Sequence, residues 1–399
     1  MKHALIVSTV SGFLLKFEKE NVKLLQRMGY QVHYAANMNE PFYTFQSEEL
    51  AELGVQAHHI DVARSPYMIH WNARALIQLT KIVREYSVSL IHCHEPMGGV
   101  LGRMVTLMAP RQRIRVAYTA HGFHFYKGAP LINNTLYYAA EWFLAHLTDE
   151  LILVNQEDYD AGKRLHLRPE GGVWKIPGVG LDHRFYGIPT RCERNNYRKK
   201  HGIAPDQFIL ISVGELNENK NHQVILRAIK ELKDRSALPE GFLYGICGDG
   251  FLREQLQEII RQEDLTDTVQ LYGYCTDVRE YLAMADATAF PSIREGLGMA
   301  ALESLAMGIP VLAANNRGTK EYMRHGINGF VCSWDDVSGF ADALLQLFRM
   351  DHKERKEIAA QAVKSAEPFS HTHTTAVMEK VYQKIDAKVE ALCTGRKLV

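Results

Sequence analysis

The stretch PSIREGLGMAALESLAM, residues 291–307, decides how the chain is read. It follows a short apolar run, Ala287–Phe290, and turns through Gly296 and Gly298 into a helical period. Glycines there let a ligand come close to the backbone, and a new helix offers unpaired N–H groups to phosphate oxygens. Glu295 and Glu303 stand at the two ends of an E-x7-E spacing. A carboxylate suits hydroxyls better than phosphate, so Glu303, about two turns into the helix, fits a ribose. Taken alone, the same spacing also describes two surface glutamates flanking a packing helix.

The surrounding segments repeat this strand-turn-helix theme. Asn219-Lys220-Asn221 follows the strand candidate Phe208–Val213 and Gly214, and Lys220 can meet a diphosphate as a point charge. Gly248-Asp249-Gly250 follows Leu243–Cys247. Further strand candidates are Val269–Tyr272, Pro310–Ala313 and Phe330–Cys332. The first half reads the same way, with strands at Ala4–Val10, Gln31–Ala36, Val55–Ile60, Ser89–Cys93, Arg115–Thr119, Glu150–Val154 and Gly172–Ile176. Helical periods over Leu14–Met28, Asn72–Glu85 and Leu131–Leu147 lie between them.

Near-continuous apolar strands alternating with helices imply parallel sheets with right-handed crossovers. The theme lapses over Gly180–Asn196 and then restarts. The fold class is therefore α/β, with two Rossmann-like, doubly wound domains facing across a cleft between the carboxyl ends of their strands. The expected division is 1–185, 186–367 and a last helical region, 368–399, returning to the first domain.

At 399 residues with zero formal net charge, the chain is long enough for two cores and carries no overall footprint for nucleic acid. Its six cysteines, Cys93, Cys192, Cys247, Cys275, Cys332 and Cys393, lack C-x-x-C spacing and read as reduced thiols. MKHALIVSTV is too short an apolar run for a signal peptide, and Leu136–Leu147 is too short to span a bilayer. A cytoplasmic protein, in peripheral contact with a membrane at most, is expected.

The order V-G-E-L-N-E-N-K-N (213–221), C-G-D-G (247–250) and P-S-I-R-E-G-L-G-M-A-A-L-E-S-L-A (291–306) resembles the retaining glycosyltransferases of family 4, which have the GT-B fold. S-G-F (11–13), H-C-H-E-P-M-G-G-V-L-G-R (92–103) and T-A-H-G-F-H (119–124) extend the likeness to the first half, and H-G-F-H-F-Y-K-G resembles the capsule and exopolysaccharide branch. The resemblance implies a UDP-sugar donor, a saccharide or lipid-linked saccharide acceptor, and no metal or other cofactor. It assigns Glu303 to the donor ribose, Lys220 to the diphosphate and Glu295 to the donor sugar. Gly214, Asn221, Gly248, Asp249, Gly298 and Met299 would line the donor site, Gly12 would let its loop close on the phosphate, and His121 would lie by the reacting carbon.

One position departs from the pattern. Glu215 stands where the family has an arginine, and Arg294 is the candidate replacement. Glu95 and His124 are candidates for the acceptor side, although a solvated loop serves Glu95 equally well. His92, His94, His121 and His124 lack a complete zinc spacing, so no metal is expected. Asp158-Tyr159-Asp160 reads as a helix start rather than a metal motif. Arg103, Arg111, Arg113 and Arg115 are either solvated or a contact for anionic lipid. Two other functions compete: a non-catalytic nucleotide-sugar-binding partner of another transferase, motivated by Glu215, and an epimerase or phosphorylase on the same architecture. A dinucleotide oxidoreductase is disfavoured because the first strand lacks G-x-G-x-x-G.

Overall fold

The computed structural model describes residues 2–39 and 47–394, with side chains to residue 391, so the side chain of Cys393 lies outside the described residues. The chain forms two compact units, Met1–Gly180 with His371–Val399, and Leu181–Ser370. Each contains one parallel sheet.

The first sheet holds β1 (Lys2–Val10), β2 (Tyr30–Asn37), β3 (Gln56–His59), β4 (Leu90–His94), β5 (Arg115–Ala120), β6 (Glu150–Leu153) and β7 (Gly172–Lys175), in the spatial order β3-β2-β1-β4-β5-β6-β7. The second holds β8 (Ile209–Val213), β9 (Leu243–Cys247), β10 (Val269–Gly273), β11 (Ala287–Phe290), β12 (Val311–Ala314) and β13 (Gly329–Cys332), ordered β10-β9-β8-β11-β12-β13. The sequence patterns find all of these strands, with ends displaced by a residue or two. Burial follows position: β1, β4, β6 and β11 are apolar or fully covered, whereas edge strand β3, QAHH, keeps its side chains partly in solvent.

In each sheet the chain winds outward from one central strand and then returns to that strand's other side. The reversals fall between β1 and β4 and between β8 and β11. Connections leave such a pair in opposite directions, which opens a crevice at the carboxyl ends. Glycines let the helix Pro96–Met108 press onto the first sheet: a Cβ on Gly99 would come within 2.3 Å of the Tyr118 ring, and one on Gly102 within 2.5 Å of Cys93.

The period expected to give one helix over Leu14–Met28 is divided. Leu14–Glu18 forms a π-helical turn and Lys19–Arg27 an α-helix. In the wide turn Leu14, Leu15 and Glu18 are all buried, and Phe13 stacks at 5.2 Å from Phe17. Position 18 shares the buried face with Leu14, Val22 and Leu25, and the unexpected feature is that a glutamate occupies it.

The last helix, His371–Thr394, belongs to the first unit, and the binding is ionic as well as apolar. Glu150 is fully buried at the start of β6. It accepts from Lys388 Nζ at 2.9 Å, Lys384 Nζ at 3.1 Å and Trp174 Nε1 at 2.6 Å. Asp386 accepts from Lys2 and from the Tyr30 hydroxyl, both at 2.6 Å. Removing one partner of such a buried pair strands the other charge. Glu150→Ala should therefore destabilise the first unit by about 3–5 kcal/mol in denaturant unfolding, whereas Glu390→Ala, at an exposed bridge to Lys2, should change little.

Candidate active site

In the second unit the crevice between β8 and β11 gathers most of the expected donor residues. β8 ends at Gly214, and a Cβ there would press on the Lys220 stem at 3.2 Å. Gly248 approaches even more closely, since a Cβ on it would fall 1.8 Å from the Gly214 carbonyl oxygen. Gly248 is thus required first by packing between adjacent turns. Asn217 caps the short turn Glu218–Lys220 by accepting from the Lys220 amide at 3.0 Å. Asn221 adopts the left-handed conformation, φ 53°, and its side chain donates to the carbonyls of Trp334 and Pro291 at 2.7 and 3.3 Å. Its amide group thereby holds the turn in place.

Across the crevice, Lys220 Nζ donates to Glu295 Oε1 at 2.5 Å. Two more bonds tie the same turns together: Asn219 accepts from the Arg294 amide at 3.1 Å and donates to the Arg294 carbonyl at 2.9 Å. The Arg294 backbone, next to Glu295, is therefore tied to Asn219, next to Lys220, while Glu215 is exposed. Gly298, φ 92°, starts the helix Met299–Ala306, and a side chain there would strike Phe290 at 2.7 Å. The buried Tyr322 hydroxyl donates to the carbonyls of Leu297 and Gly298, which fixes the turn ahead of Met299. Asp249 is half exposed and accepts from its neighbour's amide, Gly250, at 2.8 Å.

Two residues that sequence reasoning missed belong to this site. The Tyr186 hydroxyl is hydrogen-bonded to Glu303, and burial, then the Glu303 charge, holds the phenol far above its ordinary value, so it stays a donor. Arg317 is 8% exposed and donates from Nε to the Glu295 carbonyl at 3.3 Å. Tyr186 lies in the segment read as a polar boundary, and Arg317 in a loop, N-N-R-G, without a motif of its own. Neither carried a local signal.

In the first unit the β1/β4 crevice is closed by protein groups. Glu95, left-handed at φ 60°, accepts from the Thr9 amide at 2.7 Å. This corrects its alternative reading as a solvated loop carboxylate: its oxygen holds the loop that leads to Gly12. The Gly12 carbonyl in turn accepts from the Lys16 amide at 3.2 Å. His121, just beyond β5, is partly exposed, and its Nε2 lies 3.4 Å from His94 Nδ1. Phe13 packs on both rings, with centroids 5.1 Å from His94 and 5.3 Å from His121. Asp158 Oδ2 accepts from the Phe123 amide at 3.1 Å and so steadies the loop after His121, while His124 packs on Tyr137 at 5.1 Å.

The four arginines do not form one basic patch. Arg103 is buried, stacked 3.9 Å over Tyr118 and paired with Glu141 through two bonds at 2.6 and 3.1 Å. Arg115 pairs with Asp149 at 2.9 Å. Only Arg111 and Arg113 are exposed. Glu141, which interrupts the apolar helix in the sequence, exists to neutralise Arg103.

Glu18, His92 and His94 are buried with donor atoms within 4.8 Å of one another. Both nitrogens of His92 are already engaged, with the Tyr382 hydroxyl at 2.7 Å and Thr119 Oγ1 at 2.8 Å. Burial lowers His92 to about 3 and His121 to about 4, and holds His94 well below the ordinary imidazole value; all three rings are neutral near pH 7. Burial raises Glu18 to about 8, against a hydrogen bond from Asn21.

The comparisons agree with this architecture. Residues 2–155 match the family model described as Glycosyl transferase 4-like, and residues 193–365 that described as Glycosyl transferases group 1. A protein of Bacillus subtilis (strain 168) named as glycosyltransferase EpsD is 36% identical over 381 residues, 96% of each chain. An Escherichia coli UDP-Gal:alpha-D-GlcNAc-diphosphoundecaprenol alpha-1,3-galactosyltransferase is 27% identical, covering 69% of this chain and 70% of its own. Anabaena HepE, solved with UDP and glucose, superposes with a TM-score of 0.75 at 16% identity, covering 97% of this chain and all of its own. The fold and crevices are those of a GT-B transferase. The chain belongs to glycosyltransferase family 4.

The raised Glu18 pKa has a consequence for stability. A carboxyl at 4.5 in the unfolded chain and about 8 when folded contributes stability that is full below pH 4.5 and is lost as pH rises through 8. Glu18→Gln should flatten that part of the profile, so the drop in melting temperature from pH 5 to pH 8 should be smaller in the variant than in the parent.

Proposed function

We propose that the chain is a metal-independent, retaining transferase that moves a sugar from a UDP-sugar to a lipid-linked saccharide acceptor in exopolysaccharide synthesis. The observation that carries this reading is the Lys220–Glu295 pair at the β8/β11 crevice, with Glu303 in the adjoining helix. The ammonium and the helix N-terminus meet the negative charge that grows on a departing nucleoside diphosphate. Glu295 orients that ammonium and reaches the donor sugar, while Glu303, held by Tyr186, accepts from the ribose hydroxyls. Both carboxylates thus have binding and orienting roles, and stabilisation of the leaving group does the work a metal does elsewhere. Arg294 and Arg317 add positive charge where Glu215 supplies none. The E. coli relative's name contains both a UDP-sugar donor and a diphosphoundecaprenol-linked acceptor, and HepE was solved with UDP, which supports the donor and acceptor classes.

The test is a panel of nucleotide-sugars read by thermal stabilisation and slow hydrolysis with EDTA present. UDP and one UDP-sugar should stabilise the parent and not Glu303→Ala. Lys220→Ala should lower kcat by about 10²–10³-fold, the usual cost of one transition-state charge donor. Stabilisation that needs a divalent ion would overturn the metal-independent reading. Inversion at the anomeric carbon of the product, seen by NMR, would overturn retention.

A peripheral contact with anionic lipid is also proposed, and its support lies in the helix Leu131–Ala145 more than in the arginines. Leu131, Ile132, Leu136, Trp142 and Phe143 are each between 46% and 85% exposed, and the helix carries no charge other than Glu141. An exposed apolar stripe of this kind, with Lys127, Arg111 and Arg113 exposed on the same unit, suits a bilayer interface. Among the described residues no helix is long and apolar enough to cross a membrane. Leu136→Glu with Phe143→Glu should abolish cosedimentation with phosphatidylglycerol vesicles, and Arg111→Glu with Arg113→Glu should weaken it in a salt-dependent way.

A further inference from the structure

We infer that Glu18, acting through His94, sets which nitrogen of His121 carries the proton, and that Glu18 and His94 are therefore positioning residues for His121. The inference rests on the reading that His121 lies by the reacting carbon, as the family resemblance implies. Its geometry is independent of that reading. Glu18 Oε2 lies 3.6 Å from His94 Nε2, and His94 Nδ1 lies 3.4 Å from His121 Nε2. The His94 and His121 rings are stacked, 5.7 Å between centroids and 25° apart, and Phe13 packs against both. Among the described residues His94 Nε2 is buried with no hydrogen-bond partner, and the Glu18 carboxyl, 3.6 Å away, is the group it can reach by a small shift. The π-helical turn brings Glu18 to this place, 2% exposed.

A neutral imidazole donates from one nitrogen and accepts at the other. Two consistent proton arrangements follow. With Glu18 protonated, its O–H donates to His94 Nε2, His94 Nδ1–H donates to His121 Nε2, and His121 keeps its proton on Nδ1. With Glu18 ionised, His94 carries its proton on Nε2 and donates to the carboxylate. His94 Nδ1 then accepts from His121 Nε2–H, and His121 Nδ1 becomes an acceptor. One proton leaves the set between the two states, and both rings stay neutral. The first state makes His121 Nδ1–H a hydrogen-bond donor to a sugar oxygen, and the second removes that donor.

The neighbours on every packed element favour the first state near neutral pH. From the glutamate's own segment Asn21 donates to Oε2 at 2.7 Å; from β4 come His92 and His94; from β2 and the last helix, the hydroxyls of Tyr34 and Tyr382 lie within the field of Glu18. None of them is a cation at pH 7, because burial keeps the imidazoles neutral and the phenols protonated. The carboxyl is accordingly raised to about 8.

Long-range ¹H–¹⁵N spectra of protein labelled at histidine report the tautomer of each ring without any variant. His121 should hold its proton on Nδ1 at pH 6.5 and move it to Nε2 as the pH passes 8. Glu18→Gln keeps an N–H donor towards His94 and should hold His121 in the Nδ1–H form throughout, with turnover that no longer falls above pH 8. Glu18→Leu supplies no donor and should lower kcat by roughly 10–100-fold with the donor KM unchanged, as losses of supporting partners do elsewhere. A His121 tautomer that is the same in the parent at pH 6.5 and pH 9 and in both variants overturns the inference. A tautomer that follows Glu18 while turnover ignores it sustains the chain of bonds and overturns the placement of His121 by the reacting carbon.

Discussion

The reversal of strand order between β8 and β11 is the constraint on which the second unit's chemistry depends. At that gap the turns after two adjacent strands leave in opposite directions, and there a cation from one turn meets a carboxylate from the other. Lys220 and Glu295 do meet, at 2.5 Å, and Asn219 clamps the Arg294 backbone beside them. The glycines on the strand ends serve this arrangement sterically. A side chain at Gly248 would collide with the Gly214 carbonyl, and one at Gly298 with Phe290, so either would push the turns apart. A substitution at these positions therefore acts on the distance between charges as well as on room for a ligand.

The first unit has the same reversal, between β1 and β4, and fills it differently. The amide that an anion could have used, Thr9 N–H, is taken by Glu95 from the other side of the gap. Below it the sheet's carboxyl edge carries neutral imidazoles, a buried carboxyl and the Phe13 ring. One crevice thus holds an ion pair, and the other holds Glu95 on a backbone amide together with neutral imidazoles, although the backbone plan is shared. The difference lies in burial: Lys220 and Glu295 keep some exposure, whereas Glu18, His92 and His94 have almost none. Desolvation on that scale removes charge unless a counter-ion accompanies the group.

The strands and their turns were legible because they are short-range facts. Central strands are buried on both faces and read as apolar runs, and turn glycines mark the crevices. The pairing of distant residues was not legible. Glu141 looked like an interruption in an apolar helix and is the counter-ion of the buried Arg103. Arg115 looked like surface charge and is held by Asp149. Glu18 lies on the helix face that Leu14, Val22 and Leu25 also bury, and its residue type, not its place in the period, hid that burial. Tyr186 and Arg317 have no pattern at all, because their importance comes from which carboxylate or carbonyl lies opposite.

The exposed Glu215 acquires a different meaning in this setting. The Lys220 charge is paired with Glu295, so a diphosphate gains most from Lys220 when that pair loosens. An arginine at position 215 would add a charge at the same turn and lessen that competition. Here the added positive charge instead flanks Glu295 itself, with Arg294 adjacent in sequence and Arg317 bonded to the Glu295 carbonyl. On the proposed reading, the cations nearest Glu295 can hold its carboxylate while Lys220 turns to the phosphate. The loss of a cation after β8 is then compensated from the loops after β11 and β12, on the far side of the same crevice.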